Sequence, residues 1–199
     1  MRILIVQTSY LGDTILSTPV IAAVRQLYPQ AKLWMMTTPA AAGLVAHDPL
    51  LEGVIPFDKR NQAAGLIGLV RTGRYLRGMQ FDRVYALQRS YRTALTLLAS
   101  GIPHRTGFQN AKLSFIYHAT GIRMPSDHDV LRNLSLLMGE APVSEYDTRL
   151  RLFPPPIEEL GPAAKRILGQ DNPLALLVPG SAWATKMWYW KHYRTVADH

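Results

Sequence analysis

Arg2-Ile3-Leu4-Ile5-Val6-Gln7 is apolar at every interior position and carries three β-branched side chains. A strand wetted on one face alternates apolar and polar residues. A run without alternation belongs to a strand covered on both faces, as in a parallel sheet between layers of helices. Beyond the turn at Tyr10-Leu11-Gly12, the segment Asp13 to Tyr28 sets Ile15, Leu16, Val20, Ala23 and Leu27 at helical spacing, with Pro19 read as a kink. Lys32 to Thr37 reads as a second strand, Ala40 to Ala46 as a helix and Gly53 to Pro56 as a third strand. A long helix over about 62–77 leads to a strand at Arg83 to Leu87, a helix over Arg92 to Ser100 and a short strand within Gly101 to Phe108. Strands that alternate with helices in this way argue for an α/β doubly wound parallel sheet.

A further helix is expected over Asp127 to Met138, with Val130, Leu131, Leu134, Leu137 and Met138 on its apolar side. Pro154-Pro155-Pro156 continues neither helix nor sheet and reads as a linker. The chain therefore divides into a domain over residues 1–150 and a second region over 151–199. The latter reads as a helix at Ile157 to Leu168, an apolar strand at Leu174 to Val178, a turn at Pro179-Gly180-Ser181 and the start of another helix. A lone strand-helix unit cannot bury both faces of its strand, so this second domain is expected to be only a beginning.

Composition narrows the classes of function. Of 199 residues, 48% are hydrophobic and 18% charged, as in a folded globular chain. There is no cysteine, which excludes disulfides, thiolate metal sites and a cysteine nucleophile. Neither a signal peptide nor a run of ~20 apolar residues is present, so a cytoplasmic location is expected. The net charge is +8, and Lys59 to Arg105 holds nine basic residues against the single acid Asp82. Such a span suits an anionic partner, with phosphorylated lipid or a membrane surface ahead of nucleic acid, for which no recognition motif is found, and a merely solvated basic face as the bland reading.

Two junctions could carry chemistry. Thr8-Ser9-Tyr10-Leu11-Gly12-Asp13 follows the first strand, where open parallel sheets place their ligand crevice and where Asp13 is suited to act as a general base. On spacing alone, an aspartate that caps the following helix is the plainer reading. Only Gly12 of a dinucleotide fingerprint is present, so no nicotinamide or flavin is expected there. The second junction runs from Val178 to Trp188. Gly180 and Ser181 after an apolar run, with Thr185 and Lys186 beyond, could bring backbone donors, hydroxyls and charge to a phosphate. It lacks Walker spacing, and an ordinary capped loop is the alternative.

Together these junctions, with Gly101-Ile102-Pro103-His104-Arg105-Thr106-Gly107, then His128, Arg132-Asn133-Leu134 and Trp188, resemble in order and spacing the ADP-heptose:lipopolysaccharide heptosyltransferases of glycosyltransferase family nine. The resemblance covers all 199 residues and leans toward the members that add the second heptose; Tyr189 departs from the proline usual after the tryptophan. It implies a GT-B fold of two Rossmann-like domains, the first holding the acceptor and the second the nucleotide sugar, and inverting transfer without a cofactor or an obligatory metal. Asp13 matches the family's base, and Ser181 and Lys186 its donor phosphate contacts, with Gly180 and Thr185 read beside them; Ser9, Tyr10, Gly12, His104 and Arg105 are read as the acceptor side, a surface turn being an equal reading for His104 and Arg105 and a structural role for Tyr10. The implied partners are ADP-heptose, a phosphorylated lipid A-core acceptor and the inner face of the cytoplasmic membrane, with the 199-residue chain alone inactive. His128, Arg132 and Asn133 are read as a hydrogen-bond cluster holding their helix to the sheet, and Trp183, Trp188 and Trp190 as packing residues. A non-catalytic, truncated acceptor-binding or interaction module is the alternative function.

Overall fold

The computed structural model describes residues 1–58, 65–169, 173–181 and 184–198. Two compact units divide the chain, Met1–Pro155 and Pro156–His199. The first is a six-stranded sheet in the order β3-β2-β1-β4-β5-β6, with every pairing parallel. Its strands are β1 (Arg2–Gln7), β2 (Lys32–Thr37), β3 (Gly53–Pro56), β4 (Arg83–Ala86), β5 (His104–Phe108) and β6 (Ala119–Gly121). The helices between them are α1 (Leu11–Ile15), α2 (Thr18–Leu27), α3 (Pro39–Val45), α4 (Gly65–Gly78) and α5 (Tyr91–Ser100), with α6 (Asp129–Leu134) after the last strand.

Side chains of β1 alternate between two cores. Ile3 and Ile5 join Val20, Ile21 and Val24 of α2 and Leu134 of α6, whereas Leu4 and Val6 join Leu69 and Leu76 of α4 and Ala94 and Leu97 of α5. That is the physical content of an apolar run without alternation, because both faces are covered. Complete burial of each such side chain stabilises the fold by ~1.5–3 kcal/mol. Helix α4 lies so close to α5 that a Cβ on Gly73 would stand 2.5 Å from the Cβ of Ala99, so this crossing requires glycine. Ser90 caps α5 by accepting the Thr93 N–H at 3.2 Å, and Gly101 ends it with φ +68°.

Several expectations are corrected. The kinked helix over 13–28 is two helices: Ser17 is the N-cap of α2 and Pro19 sits in its first turn, where a missing N–H costs nothing. Ser17 and Thr18 hydroxyls donate to the carbonyls of Thr14 and Ile15, closing the break. The helix over 127–138 shortens to α6 and a 3-10 turn at Ser135–Leu137. The start of the long helix over 62–77 lies outside the described residues, and α4 is described from Gly65. Strand β6 was not foreseen, since Ala119-Thr120-Gly121 has no apolar pattern and is placed by pairing with β5.

The second unit contains a 3-10 turn at Ile157–Glu159, α7 (Pro162–Leu168), a 3-10 turn at Ala184–Lys186 and α8 (Trp190–Ala197). Gly161 and Pro162 divide the expected helix at 157–168. Leu174 to Val178 does not form the expected strand. No described strand pairs with it, and its side chains are exposed, as an apolar run must be when no ladder or opposing layer is at hand.

Candidate active site

Crossovers from β1 lead to one side of the sheet and those from β4 to the other, so the chain diverges between these neighbours. A crevice opens at the carboxyl ends of strands where that happens. Two cavities occupy it. One, of about 680 Å³, is lined by Thr8, Ser9 and Tyr10 after β1, Thr38 and Pro39 after β2, Phe57 and Asp58 after β3, and Gln88 after β4. The other, of about 90 Å³, is polar and holds Asp13 with Gln7, Gln88, Arg89, Arg123, Asp129 and Asn133. Ser9 and Gln88 border both.

Asp13 is the third residue of α1, and its carboxylate Oδ2 reaches back to accept the N–H of Tyr10, the N-cap, at 3.1 Å. This is half of a capping box, so the helix-cap reading describes one oxygen. Oδ1 accepts no hydrogen bond from another described residue. The side chain is half-buried and opens into the polar cavity. Tyr10 is exposed at the mouth. A Cβ on Gly12 would meet nothing within 4 Å, so the fold itself does not demand glycine there.

The wall behind Asp13 is built by α6. Asn133, buried, donates from Nδ2 to the carbonyl of Leu16 at 3.0 Å and accepts from Arg123 Nη1 at 3.2 Å. Arg123 also pairs with Asp129 at 2.6 Å and lies 5.2 Å from the centre of the Phe108 ring. Burial lowers the pKa of its guanidinium, opposed by the charge of Asp129. Arg132 donates to Asp129 and to the carbonyls of Met124 and Pro125, and His128 Nδ1 accepts the Val130 N–H at 3.3 Å as the cap of α6. Of the three residues read as a hydrogen-bond cluster, Asn133 and Arg132 are joined through Arg123 and Asp129, while His128 caps α6 apart from them, and it is Asn133 that ties α6 to the end of α1.

Ser9, Tyr10, Gly12 and Asp13 are brought together at the crevice, but His104 and Arg105 are not. They begin β5, at the opposite end of a parallel sheet. Arg105 donates there to the carbonyls of Ile102 and Ile116, which is a structural task. Gln88, Arg89, Arg123 and Asp129 were missed by sequence reasoning. The dipeptide Gln88-Arg89 follows β4 as Ser9 follows β1, a signal that becomes readable only once β1 and β4 are known to be neighbours. In the second unit, Gly180, Thr185 and Lys186 are exposed and Ser181 is half-buried, with Lys186 ending a 3-10 turn. Trp188 stacks on His192 at 5.0 Å, and Trp183 lies outside the described residues.

The family profile of glycosyltransferase family 9 (heptosyltransferase) matches residues 69–199. The chain belongs to this family. Lipopolysaccharide heptosyltransferase 2 of Escherichia coli strain K12 is 31% identical over 109 residues, which are 55% of this chain and 31% of that protein. The match thus spans under a third of the relative's length. Among solved structures, the family 9 glycosyl transferase of Veillonella parvula superposes with a TM-score of 0.82 at 19% identity, covering 99% of this chain and 59% of that one. An E. coli heptosyltransferase solved with ADP-2-deoxy-2-fluoro heptose gives 0.70 at 19% identity, covering 100% and 65%. At these identities the family's structures attest the fold, an α/β architecture of the GT-B type.

Proposed function

We propose that the chain is the acceptor-side part of an inverting heptosyltransferase that moves heptose from ADP-heptose to the inner core of lipopolysaccharide. The observation that supports this best is the placement of Asp13 at the divergence of β1 and β4, where one carboxylate oxygen caps α1 and the residue lines the polar cavity. Oδ1 takes the proton of an acceptor hydroxyl while that oxygen attacks the anomeric carbon. The bond from that carbon to the diphosphate oxygen breaks, and ADP leaves from the opposite face, inverting the anomeric centre. Ser9, Tyr10 and Gly12 border the acceptor. Arg89, whose guanidinium makes no hydrogen bond or ion pair to another described residue, offers charge to its anionic groups. His104 and Arg105 have no part in this site.

Gly180, Ser181, Thr185 and Lys186 are proposed to meet the donor phosphates, where positive charge stabilises the departing diphosphate. The ADP-heptose analogue bound to the E. coli neighbour supports that choice of donor. A cytoplasmic protein in peripheral contact with the inner membrane face is the setting this reading requires. Exposure of Gly180, Thr185 and Lys186 favours, as a second reading, an acceptor-binding module without turnover. The full-length protein is to be incubated with ADP-heptose and lipopolysaccharide core from heptose-deficient cells. Release of ADP with a product anomer opposite to the donor's is expected. Retention of configuration would refute the mechanism, and acceptor binding without turnover would establish the second reading.

A further inference from the structure

In the basic span, Arg77 donates to the carbonyls of Ala99 and Ser100, Arg83 pairs with Glu140 and Arg105 holds two carbonyls, while Lys59 and Arg60 lie outside the described residues. Those three arginines serve the fold. Arg123 is placed differently: its side chain is 17% exposed, and it lines the same polar cavity as Asp13. Its Nη2 pairs with Oδ1 of Asp129 at 2.6 Å, to which Arg132 also donates at 3.1 Å, and its Nη1 donates to Oδ1 of Asn133 at 3.2 Å. A guanidinium carries donors only, so it turns the amide oxygen of Asn133 toward itself and leaves Nδ2 for the carbonyl of Leu16, reached at 3.0 Å. The chain from Asp129 through Arg123 to Asn133 therefore ends on the residue that closes α1.

That end needs holding. Helix α1 has five residues, too few to stand on its own hydrogen bonds. Its other ties come from the neighbouring strands, Gln7 Nε2 donating to the carbonyl of Asp13 at 3.5 Å and the hydroxyls of Thr14 and Thr37 meeting at 3.1 Å. Stability alone does not call for the polar chain. Val130 and Leu134 of α6 already share one core with Val20, Ile21 and Val24 of α2, and the attraction within a buried ion pair is largely offset by desolvation. What a satisfied buried network adds is one fixed geometry. The backbone is arranged for it, since a Cβ on Gly121 would stand 2.5 Å from the carbonyl oxygen of Ser135, so that the end of β6 meets the turn after α6 closely enough for Arg123 to reach Asn133. We propose that Arg123 and Asn133 are positioning residues for the transfer, holding α1 so that Asp13 meets the acceptor hydroxyl. The inference rests on the reading of Asp13 as the base.

Three variants of the full-length protein test it. Asn133→Leu removes both hydrogen bonds of the amide, Asn133→Asp keeps the acceptor for Arg123 but not the donor to Leu16, and Arg123→Lys keeps the charge but not the fork that reaches Asn133 and Asp129 together. With ADP-heptose and core acceptor, each should lower kcat about tenfold or more while KM for both substrates stays within about twofold, as expected when a reacting group is misplaced rather than a substrate lost. Added to Asp13→Asn, each should lower kcat less than about twofold further, because no base is left to position. Amide hydrogen exchange supplies a readout besides turnover. The Leu16 N–H, bonded to the Gly12 carbonyl at 2.9 Å, should exchange faster in the variants, with the amides of β1 as in wild type. Where Asn133→Leu fails to fold, Asn133→Asp and Arg123→Lys carry the comparison. Wild-type kcat in those two, losses that multiply in full with Asp13→Asn, or unchanged exchange at Leu16 would overturn the proposal. A deep loss in Asp13→Asn beside wild-type kcat in the other variants sinks the positioning role alone, whereas near-normal turnover in Asp13→Asn sinks the reading of the base.

Discussion

Ile3-Leu4-Ile5-Val6 and Leu174-Ala175-Leu176-Leu177-Val178 are similar apolar runs with opposite fates. In the first, every side chain has zero exposure, whereas in the second Leu176 is 87% and Val178 67% exposed. Propensity does not separate them. The first is held by parallel ladders to β2 and β4 and covered by helices on both faces, while the second has no described strand beside it. An apolar run becomes a strand when neighbours satisfy its backbone groups, and chemistry placed at its end inherits that order. Asp13 follows an ordered run and Lys186 an exposed one.

The largest expected effect tests the chemistry attached to the ordered run. Asp13→Asn keeps an acceptor for the Tyr10 N–H but removes the proposed base, so kcat should fall ~10²–10⁴-fold with unfolding unchanged. Near-normal turnover in a transfer assay would mean that Asp13 is only a cap. Next comes stability. Ile5→Ala should cost ~2–5 kcal/mol in urea unfolding and Leu176→Ala no more than ~0.5 kcal/mol. Equal losses would show that the second run is buried in the working protein, and the contrast would collapse.

Smaller effects sharpen the contrast within the first unit. The hydroxyls of Tyr85 and Tyr28 both donate to Glu140, which also pairs with Arg83 at 3.2 Å. Tyr85→Phe should cost ~0.5–1.5 kcal/mol, since Glu140 keeps its other partners; no measurable change would remove this cluster from the account of the fold. A further effect is expected at alkaline pH. Burial raises Tyr85, and pushes Tyr117 and Tyr146 up to about 12 from an ordinary 10.0. Between these values the folded state binds more protons than the unfolded one. The stability these tyrosines contribute is therefore full below pH 10 and is lost as pH rises toward 12. Urea midpoints that stay level across that window would contradict the assignment.

Much of the architecture could be read in the residues. The uninterrupted run at Ile3 to Val6, the helical spacing around it and the prolines at 154–156 indicated an α/β sheet and a second region, because burial on two faces leaves its mark in composition. Pro19 was visible too, yet whether it kinks a helix or opens a new one depends on the hydroxyls of Ser17 and Thr18 finding carbonyls. Strand β6 was invisible, since three small or polar residues become a strand only beside β5.

At the site, Asp13 was legible as a candidate because it follows a buried strand within a short turn. Sequence by itself determined that such a carboxylate exists, that the chain carries net charge +8 and that no thiol chemistry is available. The tertiary structure decided which groups surround the carboxylate. Gln88, Arg89, Arg123 and Asn133 lie between 75 and 120 positions away and meet Asp13 because β4 pairs with β1 and α6 packs on α2. It also sent His104 and Arg105 to the far end of the sheet, since residues that open a parallel strand lie a strand's length from those that close it. Strand order, the outcome of packing between distant segments, carries no local signature, and it is strand order that makes the crevice.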